Sequence, residues 1–122
     1  MKHILLVEDD PLLIDIYSTK LKEAEFTVEV AEDGEEAVRK IEKGAPDLVL
    51  LDIVLPNFDG WQFLEMIRKD EKLKGLKVVV LSNLSQKEEV EKGLSLGASK
   101  YLIKAHYTPS QIVEEVKKEL NV

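Results

Sequence analysis

Five side chains carry the chemistry open to this chain: the pair Glu8-Asp9, the lone Asp52, the hydroxyl of Ser82 and the ammonium of Lys104. Each stands directly after a short apolar run. His3–Val7 precedes Glu8, Leu48–Leu51 precedes Asp52, Lys77–Leu81 precedes Ser82, and Tyr101–Ile103 precedes Lys104. Three carboxylates brought together repel one another unless protons or a cation relieve the repulsion. With no His or Cys among them, such an all-oxygen set selects a hard cation, and Mg2+ would keep several of its waters there. A lysine facing the acids is either a neutralising salt bridge or, with a metal and a hydroxyl, a clamp on the equatorial oxygens of a phosphoryl group. Taken alone, Asp52 could equally cap a turn. The same placement at the ends of four runs weighs against coincidence.

The elements that must position these residues follow from the patterning. The unbroken run Leu48–Leu51 reads as a strand buried on both faces, the habit of central parallel strands. His3–Val7 is a similar run, after which Asp10 makes a good N-cap and Pro11 a good first residue for a helix bearing Leu12, Leu13, Ile16, Tyr17 and Leu21. Phe26–Ala31 alternates and reads as a more exposed strand. Asp33-Gly34 opens a second helix, with Ala37, Val38 and Ile41 on one face and Gly44 and Pro46 as its stop. Phe63, Leu64 and Ile67 mark a third helix after Gly60. Lys77–Leu81 is the fourth strand. Ser85-Gln86-Lys87-Glu88 fits a capping box for a fourth helix, with Val90, Leu94 and Leu96 inward and Gly97 at its end. Tyr101–Ile103 is the fifth strand. Thr108-Pro109-Ser110-Gln111 caps a last helix carrying Ile112, Val113, Val116 and Leu120.

Strand and helix thus alternate five times, which implies right-handed crossovers and a parallel sheet covered on both faces. The fold class expected is α/β: a flavodoxin-like, doubly wound (βα)5 sandwich with strand order 2-1-3-4-5, since an eightfold barrel needs roughly 200 residues or more. In a parallel sheet the carboxyl ends of the strands share one edge. Glu8, Asp9, Asp52, Ser82 and Lys104 are therefore expected to converge.

The 122 residues fit one domain, residues 1–122. The 44% hydrophobic and 34% charged fractions suit a packed core with a solvated surface. No apolar run approaches the ~20 residues of a membrane span, and the amino terminus lacks a signal-peptide pattern. Cysteine is absent, which excludes disulfides and thiolate metal sites and fits a cytoplasmic location. A net charge of −7 argues against direct nucleic-acid binding, because phosphate backbones reward clustered Lys and Arg.

Four motifs occur in fixed order: Val7-Glu8-Asp9-Asp10-Pro11, Leu51-Asp52-Ile53-Val54-Leu55-Pro56-Asn57-Phe58-Asp59-Gly60, Leu81-Ser82 and Tyr101-Leu102-Ile103-Lys104. Through them the chain resembles, over nearly its full length, the response regulator receiver domain of two-component signal transduction, here of the stand-alone type. The resemblance implies that Asp52 accepts a phosphoryl group from a sensor histidine kinase or a histidine phosphotransfer protein. It implies Mg2+ as cofactor, held by Asp9, Asp52 and the backbone carbonyl of Val54, with Glu8 acting through water. Ser82 and Lys104 would contact the phosphoryl oxygens, and Tyr101 would move with Ser82 as a switch. Output would pass through the face formed by the fourth helix, fifth strand and fifth helix to an effector protein. The chain would act as a monomer or a weak, phosphorylation-dependent dimer.

Departures from that pattern are specific. Ala105 follows Lys104 where the family usually has proline in a cis bond. A cis peptide before a non-proline residue costs about 3–4 kcal/mol, so a trans bond or a rebuilt loop is expected. Asn83 stands where a small residue is usual, which narrows access to the phosphate. Val54 and Leu84 are apolar where the family tunes loss of the phosphoryl group, so a long-lived adduct is expected. His3 and His106 lie too far apart in the βα order for a shared metal site. Trp61 is expected to pack on the surface of the third helix. Two rival readings stand beside the receiver. One is a Mg2+-dependent phosphatase or phosphotransferase working through an aspartyl-phosphate, which would want a second acid at Val54 and a cap domain. The other is a degenerate receiver acting only as a scaffold.

Overall fold

In a computed structural model describing residues 1–122, the apolar runs form one parallel five-stranded sheet in the order β2-β1-β3-β4-β5. The strands are β1 (His3–Val7), β2 (Thr27–Ala31), β3 (Leu48–Leu51), β4 (Lys77–Ser82) and β5 (Lys100–Ile103). The helices are α1 (Pro11–Glu23), α2 (Gly34–Lys43), α3 (Gly60–Lys69), α4 (Lys87–Ser95) and α5 (Pro109–Leu120). The expected fold class and strand order are those observed. No helix is long and apolar enough to cross a membrane.

The period of two along each strand divides the interior into two layers. Leu5 and Val7 of β1, Val49 and Leu51 of β3, and Val78 and Val80 of β4 face one side, where Ala37 and Ile41 of α2 and Phe63, Leu64 and Ile67 of α3 cover them. Ile4, Leu6, Leu48, Leu50, Val79, Leu81 and Leu102 face the other side, under Tyr17 and Leu21 of α1 and Ile112, Val113 and Val116 of α5. Each fully buried aliphatic side chain contributes about 1.5–3 kcal/mol, so the central strands are the most firmly held part of the molecule.

Register brings the strand ends level. Val7 lies opposite both Ala31 and Leu51, Leu51 opposite Val80, and Ser82 opposite Ile103. The chain positions just past these pairs are Glu8, Asp52 and Lys104. The ladder continues into the first two: Glu8 N–H donates to the Ala31 carbonyl at 2.9 Å and Asp52 N–H to the Val7 carbonyl at 3.0 Å.

Helix α4 departs from expectation. It starts at Lys87 with Gln86 as N-cap, and the Glu89 carboxylate accepts from the Gln86 N–H at 3.0 Å, so the cap lies one residue later than Ser85 would place it. Leu94 points outward at 47% exposure, and the buried residue of the helix is Gly93. A Cβ on Gly93 would stand 2.7 Å from the Tyr101 ring. The helix is thus seated on that ring by its glycine, which turns Leu94, one residue on, away from the sheet.

No peptide bond is cis, as Ala105 after Lys104 led one to expect, and Lys104–His106 form a short 3-10 turn.

Candidate phosphoacceptor and cation site

The carboxyl edge of the sheet carries a cleft of about 400 Å3, lined among others by Glu8, Asp9, Asp52, Ser82 and Lys104. All five residues singled out by the strand ends meet there. Glu8 and Asp52 are buried, at 1% and 7% exposure, and Ser82 is fully enclosed. Asp9 is exposed at the mouth.

Lys104 lies across the acids. Its ammonium donates to Glu8 Oε1 at 2.7 Å and to Asp52 Oδ2 at 2.8 Å. The remaining oxygens have partners too. Glu8 Oε2 accepts from the N–H groups of Asp9 and Asp10 at 3.1 and 3.2 Å, and Asp52 Oδ1 accepts from Val54 N–H at 3.3 Å. Burial pushes the Glu8 carboxyl above the usual range, Lys104 pulls it back, and Asp52 adds to the rise. For Lys104, burial opposes the charged form, but hydrogen bonding to Asp52 and Glu8 outweighs it and raises its pKa. The ammonium therefore stays charged at neutral pH. It serves as the counter-charge without which two adjacent buried carboxylates would not persist.

One oxygen from each of Glu8, Asp9 and Asp52 lies within 4.8 Å of the others. Three carboxylates against one ammonium leave two net negative charges, matching one divalent cation. The donors are all oxygen, as a hard ion requires. Asp10 stands apart from this set. Its Oδ1 accepts from Leu12 and Leu13 N–H at 2.9 and 3.4 Å, making it the N-cap of α1 as the sequence indicates.

Ser82 and Tyr101 are joined through the backbone of one residue, Leu84. Ser82 Oγ accepts from Leu84 N–H at 3.2 Å, and the Tyr101 hydroxyl donates to the Leu84 carbonyl at 2.7 Å. Burial pushes the Tyr101 hydroxyl above its ordinary pKa, so it remains a donor at neutral pH. This bridging role of the Leu84 backbone was not visible in the sequence, where only its apolar side chain registers. Val54, at 60% exposure, and Asn83 lie on the cleft rim. Trp61 is half-buried and packs against the core on the α3 side, with the Lys92 ammonium 4.6 Å from its ring centroid. His3 pairs instead with Glu29, Nε2 to Oε1 at 3.0 Å, on β1 and β2.

Fold and edge together define a flavodoxin-like α/β domain with an acidic cleft whose net negative charge would match a divalent cation. The chain belongs to the response regulator receiver domain family, whose model matches residues 4–117. Receiver domains are signalling domains of two-component systems. The chain is 38% identical to the regulatory protein VanRc of Enterococcus gallinarum over 119 residues, covering 96% of this chain and 49% of that protein. It spans about half the length of this relative, and 43% of the DNA-binding regulator RpaA of Synechocystis. Among solved structures, a putative response regulator from Chloroflexus aurantiacus superposes with a TM-score of 0.91 at 30% identity, covering 99% of this chain and 98% of that one. The Mn(2+)-bound form of the response regulator Rcp1 superposes with a TM-score of 0.87 at 27% identity, covering 97% of this chain and 93% of that one.

Proposed function

We propose that residues 1–122 form a receiver that accepts a phosphoryl group on Asp52 from a sensor histidine kinase or a histidine phosphotransfer protein, in a Mg2+-dependent reaction. The observation that carries the reading is the convergence of Glu8, Asp9 and Asp52 within 4.8 Å, with Lys104 2.8 Å from the Asp52 carboxylate. The metal would be held by Asp9, Asp52 and the Val54 carbonyl. Glu8 would act through water, since both its oxygens are engaged by Lys104 and backbone amides. When bound, Mg2+ would neutralise charge on the equatorial phosphoryl oxygens. That the similar response regulator Rcp1 has been solved in a Mn(2+)-bound form supports a divalent ion as a ligand of this chain.

The chain's own residues do the rest. An Asp52 oxygen attacks the phosphorus of a phosphohistidine, the P–N bond breaks, and the imidazole leaves with its electron pair and takes a proton. The product is an acyl phosphate. Lys104 turns its ammonium from carboxylate to phosphoryl oxygens, and Ser82 offers its hydroxyl to a third. Because Ser82 and Tyr101 both bond the Leu84 backbone, a shift of Ser82 is passed to Tyr101 and so to α4. Output then reaches an effector protein through the α4-β5-α5 face, from a cytoplasmic monomer or a weak phosphorylation-dependent dimer without direct nucleic-acid contact. The domain has no turnover substrate beyond its own phosphorylation and dephosphorylation. Val54 and Leu84 cannot orient an attacking water, so the adduct is long-lived.

Incubation with acetyl phosphate and Mg2+, read by intact mass, tests this. One phosphoryl adduct is expected in the wild type and none in Asp52→Ala, with the adduct persisting for minutes or longer. Steady turnover of small phosphate esters would favour the phosphatase reading. No adduct would leave only a scaffold.

A further inference from the structure

The loop between β3 and α3 carries Asp52 and Val54, and glycines hold it at two points. At Gly60 the N–H donates to the Ile53 carbonyl at 2.9 Å, and a Cβ would stand 2.6 Å from the Asp52 carbonyl oxygen. The second anchor lies on another element. Gly34, the first residue of α2, donates its N–H to the Phe58 carbonyl at 3.0 Å. A Cβ on Gly34 would stand 2.2 Å from that oxygen and 2.5 Å from Cδ1 of the Phe58 ring.

The obstacle at Gly34 is backbone, not the tip of a flexible side chain, so any larger residue must push the loop. Conformation is not the reason for glycine here, because its φ is not positive. The contact has a physical drive of its own. The first N–H groups of a helix lack intrahelical partners and carry the positive end of its dipole. Asp33 takes the Glu36 N–H at 2.8 Å, which leaves the Gly34 N–H for Phe58. Asn57, at φ 61, turns the chain just before that contact. Ile53 and Leu55 are buried, so the segment between Asp52 and Phe58 has little slack.

We propose that Gly34 is a positioning residue for the cation pocket: by admitting the Phe58 carbonyl onto α2, it sets where the Val54 peptide stands against Asp52. The inference rests on the reading of Asp52 and the Val54 carbonyl as Mg2+ ligands.

The test is Mg2+ affinity by calorimetry on the whole chain, for wild type, Gly34→Ala and two controls. Gly44 ends the same helix, and a Cβ there meets nothing within 4 Å. Val116 sits in the layer under α1 and α5, so Val116→Ala supplies a loss of melting temperature remote from the pocket. Gly34→Ala should weaken Mg2+ binding by about 10- to 100-fold, the range for groups that orient metal ligands. Both controls should stay within about twofold, as distant sites do. A folded Gly34→Ala with wild-type affinity overturns the proposal. If that variant does not fold, the wild type decides by reciprocity of coupling: Mg2+ should slow hydrogen exchange of the Gly34 amide, and an unchanged amide overturns the proposal. A wild type that binds no Mg2+ overturns the metal reading and this inference with it, whereas wild-type binding with an indifferent Gly34 overturns the inference alone.

Discussion

Strand β5 is covered differently on its two faces. On one, Leu102 lies in a layer closed by Ile112, Val113 and Val116 of α5. That helix is fastened by Lys100, whose ammonium reaches Glu115 at 3.1 Å and Glu119 at 3.8 Å, and by Lys77, which donates to the Glu119 carbonyl. On the other face, Tyr101 meets α4 at Gly93, the one buried residue of that helix, and Leu94 is turned to solvent. The Lys92–Trp61 contact adds a tie worth about 0.5–1 kcal/mol at such a site. The same strand is therefore anchored to one helix and only rests against the other. A displacement starting at Ser82, as proposed above, would meet less resistance through Tyr101 and α4 than through α5, and local stability of this uneven kind is what movable elements share.

The largest effect that would sharpen this contrast comes from truncating each face. Ile112→Ala should lower unfolding free energy by about 2–5 kcal/mol, as buried Ile-to-Ala changes do. Leu94→Ala, on the exposed side of α4, should stay within about 0.5 kcal/mol. Similar losses from the two in chemical denaturation would break the comparison.

A smaller effect separates the carboxyl edge from the α5 anchor by pH. Hydrogen bonds from Lys118 and Lys100 lower the Glu115 pKa, so its contribution is present above the usual carboxylate value and is lost as pH falls through the folded value. Glu8 runs the other way. Burial raises its pKa, so its contribution is full below the usual value and is lost as pH rises through the folded one. On acidification, the melting-temperature deficit of Glu115→Gln should therefore shrink, while wild type should gain relative to Glu8→Gln. The same trend for both variants would contradict the assignment.

What could be read from the chain and what could not divide along this line. Strands buried on both faces announce themselves as unbroken apolar runs, and the polar residue after each run marks the edge where chemistry collects. Hence Glu8, Asp9, Asp52, Ser82 and Lys104 were legible together. The N-cap at Asp10, with Pro11 after it, and the box at Thr108 were legible for the same local reason. Helix α4 was legible as a helix, but its inward face was not, because its burial depends on a missing side chain. Gly93 carries no hydrophobic signal, so the pattern Val90, Leu94, Leu96 pulled the inward face toward Leu94. The link through Leu84 and the fit of Gly34 to Phe58 are likewise backbone contacts between distant segments, which no side-chain pattern records.

The claim that the loosely seated helix answers the acidic edge is tested most directly by hydrogen exchange on the whole chain, before and after treatment with acetyl phosphate and Mg2+. Altered protection of amides in α4 and at Leu84, with Ile112–Val116 of α5 unchanged, is the result predicted. Equal changes in α4 and α5, or a phosphorylated chain in which α4 stays as it was, would contradict it.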